Sequence, residues 1–458
     1  MLDLLIKDGR YADFETGEFI KGNMGINHGK IVSIGDEEAK AKKVIDASGK
    51  IVSPGFIDIH MHEEKFKKEG ESYRISEFML KMGVTTAVGG NCGLQYQDLK
   101  EFKEVIKRKG GSPINYVMLA GYNEFRYQLG IERYAEATKE QRKVLRKLVK
   151  RELDEGAFGV SFGIEYDPGI SYEEMKDVLE VLEDERMLGA AHYRNDCIDD
   201  IESVKEMIKL SEEITPKFQI SHLSSCSAMG WMKESLEEIN LAIEKNPKLN
   251  YDTYPYNAFS TLLGSAVFDD GCLDNWKKEY SDILLTQEPY KNVYCTEEIF
   301  KEAREKFPDM LAVAFVMNEE EITNAINNKC GMIASDGIVH EGKGHPRAAG
   351  TFPRVLGKYV RDDKVLKLID ALRKMTLEPA KRLSLKDKGQ IRVGADADIT
   401  IFNPETIADG PNFENIDIPN KGIDYVIVNG SLSCVKNEIV SDNSGEFIDF
   451  NKAVAYNK

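Results

Sequence analysis

Four of the seven histidines in this chain, His60, His62, His192 and His222, close apolar, strand-like runs, and Cys92 and Asp336 end two more. Imidazole, thiolate and carboxylate are the groups that ligate transition metals. The first pair sits in "GFIDIHMHEE" (55–64). Side chains alternate faces along a strand, which predicts Ile57, Ile59 and Met61 on one face and Asp58, His60 and His62 on the other. Two imidazoles on one face at a strand's end can share a metal ion, and they can equally be ordinary surface polar residues. Taken singly, each of the others also has a plain reading. A strand-end histidine is commonly a satisfied polar residue, a lone cysteine a small core residue, and an aspartate in "SDG" a turn. The elements that carry the six decide whether they meet.

Eight strand-like runs lie between residues 55 and 337: 55–60, 85–91, 115–122, 157–163, 189–194, 218–224, 249–254 and 331–337. Amphipathic helical patterns separate most of them. Ser171 with Glu174 three residues on is a capping-box signature, and Met175, Val178, Leu179 and Leu182 follow at helical spacing. Residues 143–153 repeat the pattern. Strands alternating with helices predict an α/β fold, a (β/α)8 TIM-like barrel, with an open doubly wound sheet as the alternative. In the barrel every strand's C-terminal end meets at one face, so all six donors converge on one mouth. Residues 1–54 and 388–458 have another texture, β-branched runs broken by glycine turns. They are expected to pair into one small sheet domain beside a barrel of residues 55–387. The stretch from about 257 to 330 is too long for one loop and reads as an insertion between strands seven and eight, placed as a lid.

Composition narrows the partners. With 458 residues, 42% hydrophobic and 30% charged, the chain reads as an ordinary soluble globular protein. A net charge of −17 argues against a nucleic-acid surface. No apolar run reaches membrane-span length, and "MLDLLIKDGRYADF" has no signal-peptide core. Seven scattered cysteines without a CxxC pair fit a reducing cytoplasm. A thiolate with imidazoles is the set that zinc takes. No lysine ends the fourth strand to offer a carbamylated bridge, a place that Cys92 can fill. A zinc site with a position open to water activates that water. Asp336 can then take its proton and pass it to a leaving amine, which suits hydrolysis of an amide.

At these residues, and through "SPGFIDIHMH", "GVTTAVGGNCG", "YDPG", "HYRND", "ISHLSS", "YPYNAFSTLL" and "GHPRAAGTFPRVLGKYVRD", the sequence resembles the amidohydrolase superfamily. Within it, the sequence is similar nearly end to end to the N-acyl-D-amino-acid deacylases, or D-aminoacylases. The resemblance implies a (β/α)8 barrel with a small β-sandwich built from both termini. It implies a zinc held tightly by Cys92, His192 and His222, a second, weaker position formed by His60, His62 and Asp336, and Asp336 as proton shuttle. It also implies that Tyr166 faces the site and that Tyr256 and Ser260 help hold a substrate carboxylate; packing near the barrel mouth is the other reading of these three. Arg347 and Arg354 offer guanidinium groups that can grip an acid substrate or shape their loop by salt bridges.

Two departures bear on the substrate. Ser224 stands where the deacylases carry a lysine for the α-carboxylate, and losing such a partner costs about 2–5 kcal/mol. "GYNEFR" replaces the family's "GHxxLR", with Tyr122 and Phe125 changed and Arg126 kept. The expected activity is zinc-dependent hydrolysis of a small, carboxylate-bearing N-acyl-D-amino acid. Another linear or cyclic amide (hydantoinase-like) is the alternative that Ser224 favours. A non-catalytic scaffold barrel is the third reading, which the complete ligand set opposes.

Overall fold

The computed structural model describes residues 1–35, 39–66, 70–340 and 342–455. Alternating apolar residues and turn glycines make five strands of the N-terminal stretch: β1 (Leu2–Asp13), β2 (Glu18–Asn27), β3 (Lys30–Gly35), β4 (Ala41–Asp46) and β5 (Ile51–Pro54). Then come β6 (Phe56–Asp58), β7 (Val84–Gly89), β8 (Asn115–Met118) and, after Leu119, β9 (Ala120–Gly121). β10 (Gly159–Gly163), β11 (Leu188–His192), β12 (Lys217–Ile220) and β13 (Leu249–Thr253) follow. β14 (Phe259–Leu262), β15 (Ile283–Leu285), β16 (Val293–Tyr294) and β17 (Leu311–Ala314) precede β18 (Met332–Ile333). The last four are β19 (Ile399–Phe402), β20 (Ile423–Val428), β21 (Ser431–Val435) and β22 (Glu438–Ile439).

The two chain ends join in one nine-stranded sheet, where β19 runs antiparallel to β5 with Ile399 opposite Pro54. Between them, β6 to β13 and β18 form parallel ladders in the order β6-β7-β8 and β9-β10-β11-β12-β13-β18, with β8 and β9 consecutive in the chain. The last strand returns to the first: Met61 bridges Gly337 in parallel, and Asp336 N donates to His60 O at 2.8 Å. The sheet is therefore a closed barrel rather than an open doubly wound one. Ile57, Val88, Val117, Leu188 and Met332 pack together in its interior, with Leu383, Leu385 and Phe450 in the same cluster. The segment from Gly445 leaves the terminal sheet and lies on the barrel. Gly445 bridges Ser112, Phe447 bridges Tyr116, and the Phe450 ring meets Phe158 at 5.2 Å.

β14 to β17 form a separate antiparallel sheet in the order β14-β17-β15-β16. The helix after it, Glu319–Asn327, packs on β13 and on the helix Met232–Lys245. The stretch read as a single insertion thus divides: its last helix belongs to the barrel's outer ring.

One local expectation is overturned. The helix Tyr172–Leu179 starts at Ser171, whose Oγ accepts from Glu174 N at 3.3 Å. The reciprocal half of the capping box does not form. The Glu174 carboxylate turns inward, accepts from Tyr122 Oη at 2.7 Å and pairs with Arg126 Nη1, all three residues being fully buried. Leaving a buried guanidinium unpaired costs more than an exposed cap gains. Glu174→Ala is accordingly expected to lower stability by about 3–5 kcal/mol, read as a fall in the urea midpoint. An unchanged midpoint would show that Asp167, 3.6 Å from Arg126 Nε, compensates the charge alone.

Candidate metal centre

The barrel mouth is where the six donors meet. His192 is the last residue of β11, and the others follow β6, β7, β12 and β18 within a few residues. None is more than 5% exposed, which removes the reading of surface polar residues. Cys92, His222 and Asp336 all have left-handed backbones, with φ of 53°, 34° and 48°. Such conformations cost on the order of 1–3 kcal/mol each and gather at functional sites. Here local bonds hold them: His222 N donates to Asp252 Oδ1 at 2.8 Å and Asp336 N to His60 O. "GGNCG" can turn at Cys92 because Gly90 and Gly93, which bracket Asn91 and Cys92, also take left-handed backbones. A Cβ on Gly90 would stand 2.0 Å from Leu119 O, and one on Gly93 1.8 Å from Asn123 Oδ1.

Among the described residues three donor groups result, each with its candidate ligand atoms within 4.8 Å of one another: His60, His62, Cys92 and Asp336; Cys92, His192 and His222; and Glu165, His192 and Cys226. Cys92 belongs to the first two. Its Sγ lies 3.3 Å from both His60 Nε2 and His222 Nε2. Burial pushes this thiol up, but the charges of His60 and His222 and hydrogen bonds from His192 and His222 outweigh it and hold the group well below its usual range. Asp336 behaves likewise: burial pushes it up, and Arg347 foremost, then His222, His62 and His60, hold it well below the usual carboxylate range. Its Oδ2 lies 2.9 Å from Arg347 Nη1, while Oδ1 lies 3.3 Å from His62 Nε2 and 3.5 Å from His60 Nε2. His62 Nδ1 and His192 Nδ1 are buried without a hydrogen-bond partner among the described residues. Buried polar atoms are rarely left so. Together with the thiolate and imidazole donor set, this fits a zinc-type cation.

A cavity of about 240 Å³ rises from His62, Asp336 and Arg347, with Tyr166 and Ser260 also in its wall. The Tyr166 ring stands 4.6 Å from that of His192, and burial pushes its phenol up. Ser260 Oγ is buried without a partner, and Arg347 Nη2 donates to Ser260 O at 2.9 Å. Two other expected substrate contacts lie elsewhere. Ser224 is fully buried and is not among the cavity's lining residues, accepting from Thr253 Oγ1 at 2.8 Å and donating to Tyr254 O at 3.4 Å. Tyr256 packs against His345 at 5.1 Å and under the Arg354 guanidinium at 4.7 Å. Arg354 bonds Pro255 O and Asp409 Oδ2, and so shapes its loop. The tyrosine against Arg347 is Tyr254, whose ring centroid is 4.7 Å from the guanidinium.

Glu165 and Cys226 were missed. Glu165 Oε2 lies 2.5 Å from His192 Nε2, and Cys226 Sγ lies 3.8 Å from the same atom. Beside Glu165, burial and then the Glu165 charge push Asp196 up to about 7. The signal was an acidic residue two positions beyond β10, at the face where five other strands end in side chains able to bind metal.

Comparison with known proteins places this geometry. The model of the Amidohydrolase family matches residues 51–432. N-acyl-D-glutamate deacylase and D-aminoacylase of Alcaligenes xylosoxydans xylosoxydans are each 29% identical over 94% of the chain, covering 93% and 94% of their own lengths. The crystal structure of N-acyl-D-glutamate deacylase from Bordetella bronchiseptica, complexed with zinc and a phosphonate inhibitor, superposes with a TM-score of 0.88 at 26% identity. That match covers 98% of this chain and 99% of the other.

Proposed function

Because this chain belongs to the amidohydrolase family, we infer that it is a zinc-dependent deacylase hydrolysing the amide bond of N-acyl-D-amino acids. The observation that carries this reading is Cys92, a thiolate common to two donor groups at the barrel mouth of a chain similar to deacylases over its whole length. Cys92, His192 and His222 would hold one metal tightly, and His60, His62 and Asp336 would form a second, weaker position. A divalent metal held there supplies Lewis acidity and lowers the pKa of water toward about 7.

The chain's own groups supply the rest. Arg347 fixes Asp336 through Oδ2 and leaves Oδ1 facing the histidines. Oδ1 takes the proton of the attacking water and returns it to the nitrogen of the leaving amine. Tyr166 and Ser260 border the space where the amide must lie, and Arg347 and Ser260 are placed to meet the substrate's carboxylate. Ser224, buried and outside the cavity's lining, leaves that carboxylate without the lysine that the deacylases use. No described helix is long and apolar enough to cross a membrane. Seven unpaired cysteines support a cytoplasmic setting.

A substrate panel tests the reading. Zinc-loaded protein is expected to release D-amino acids from N-acetyl-D-amino acids at least about a hundredfold faster than it acts on the L-forms or on a hydantoin, a discrimination of about 2.7 kcal/mol. Stripping the metal with a chelator should abolish turnover, and zinc should restore it. Faster opening of the hydantoin would favour the cyclic-amide alternative. Full activity without metal would end both.

A further inference from the structure

Two side chains that the proposed chemistry does not use, Glu165 and Cys226, lie against His192. We propose that Glu165 is the positioning residue of the tight metal position: it holds the proton on His192 Nε2 and so turns Nδ1 to the metal. This rests on the metal position assigned in the deacylase reading, and it names the nitrogen through which His192 binds.

Strand register brings the carboxylate there. β10 and β11 run parallel with Gly163 opposite His192, and Ile164 N donates to His192 O at 2.9 Å, so the next residue stands beside the imidazole. Glu165 Oε2 lies 2.5 Å from His192 Nε2. An ionised carboxylate only accepts, so the proton of this contact is on Nε2. The neutral ring then keeps its lone pair at Nδ1, and the neutral ring is the form that ligates a metal. His192 Nδ1 is buried and has no hydrogen-bond partner among the described residues. A cation is what such a lone pair lacks.

Two other imidazoles at the Cys92 sulfur are divided in the same way, with the nitrogens exchanged. His222 has Nε2 3.3 Å from Cys92 Sγ and Nδ1 2.7 Å from Ser225 Oγ. His60 has Nε2 3.3 Å from the same sulfur and Nδ1 3.3 Å from Asp252 Oδ1. In each, one nitrogen faces the shared donor and an oxygen stands at the other. Such outer oxygens fix the tautomer and orientation of a metal-binding histidine and raise its basicity. The competing arrangement is a separate cation held by Glu165, His192 Nε2 and Cys226. That cation must displace the Nε2 proton, and with Nδ1 on the tight metal the ring would bridge two cations as an imidazolate. The Glu165 charge beside Nε2 opposes that deprotonation.

The test measures zinc affinity by chelator competition in wild type, Glu165→Gln and Glu165→Leu. It also reads the His192 ring nitrogens by NMR of isotope-labelled histidine in the zinc-loaded wild type, assigned by the signals lost in His192→Gln. Glu165→Leu should weaken the tight zinc about 10–100-fold. Glu165→Gln, whose amide oxygen still accepts from Nε2, should recover part of that loss. The wild-type spectrum should show a proton on His192 Nε2 and the metal on Nδ1. Wild-type affinity in Glu165→Leu, equal losses in the two variants, or a metal on Nε2 would overturn the assignment. So would loss of one zinc per chain from both Glu165→Leu and Cys226→Ser with the tight zinc retained, which would give these residues a cation of their own. None of these readouts involves substrate. Zinc-loaded wild type that is inactive on every N-acetyl-D-amino acid would therefore end the deacylase reading and leave Glu165 in its role, whereas wild type without a tight zinc would end both.

Discussion

Asp336→Asn is expected to keep one tightly bound zinc per chain and to lose about 10²–10⁴ in kcat, the range of a positioned general acid–base. The asparagine keeps the shape of the side chain and can still face Arg347, but its amide cannot take a proton from the attacking water. The donors proposed for the tight position, Cys92, His192 and His222, are on other strands, and Asp336 N bonds His60 O rather than any of them. The change leaves Arg347 without its carboxylate, a buried cation made lonelier, so near-ultraviolet dichroism must first show native packing. Metal content by atomic absorption then separates the two roles. Zinc retained with turnover lost assigns Asp336 to proton transfer. Zinc lost with turnover makes it chiefly a ligand. Wild-type turnover removes it from the chemistry and leaves no proton acceptor at Oδ1's position.

The candidate site was legible where strand register governs it. A parallel strand can end at only one face, so the ends of runs carrying His60, His62, Cys92, His192, His222 and Asp336 had to meet once the fold was a barrel. Legibility fails where loops decide. Strict alternation through residues 57–62 predicted one face for Ile57, Ile59 and Met61. β6 in fact stops at Asp58, and while Ile57 and Ile59 enter the barrel interior, Met61 packs in the outer cluster. In "YPYNAFS" the chain leaves β13 at Thr253, so no period tells Tyr254 from Tyr256, and it is Tyr254 that meets Arg347. Glu174 carries a capping signature that is true of its backbone and false of its carboxylate, because the partner that claims it, Arg126, is 48 residues away. Ser224 occupies the position of a family lysine, yet its side chain is spent on Thr253 and Tyr254 and never reaches the cavity. Glu165 was passed over because it stands beyond its strand, where only the packed loop brings it to His192. The C-terminal segment reads as one more stretch of the terminal sheet, but Phe447 and Phe450 find apolar cover only on the barrel.

Cys92→Ala should release the tight zinc, lowering affinity by more than about a hundredfold, the upper limit for removing a group that merely supports a ligand. The reason is the position of one sulfur. Among the described residues Sγ is the one donor atom common to the His60/His62/Asp336 group and the His192/His222 group, so its removal subtracts a candidate ligand from both at once. The turn itself survives, because Gly90 and Gly93 carry its left-handed conformations and alanine tolerates φ of 53° no worse than cysteine. His62→Ala makes the contrast. It removes a donor from the first group alone, so the second keeps its thiolate and both imidazoles, and the tight metal should stay. Competition against a chelator of known zinc affinity reads both variants. Stoichiometric zinc in Cys92→Ala would reduce Cys92 to a buried core thiol. Loss of the tight zinc in His62→Ala, with retention in Cys92→Ala, would move the tight position to the histidines after β6 and break the link between thiolate and metal on which the proposed chemistry depends.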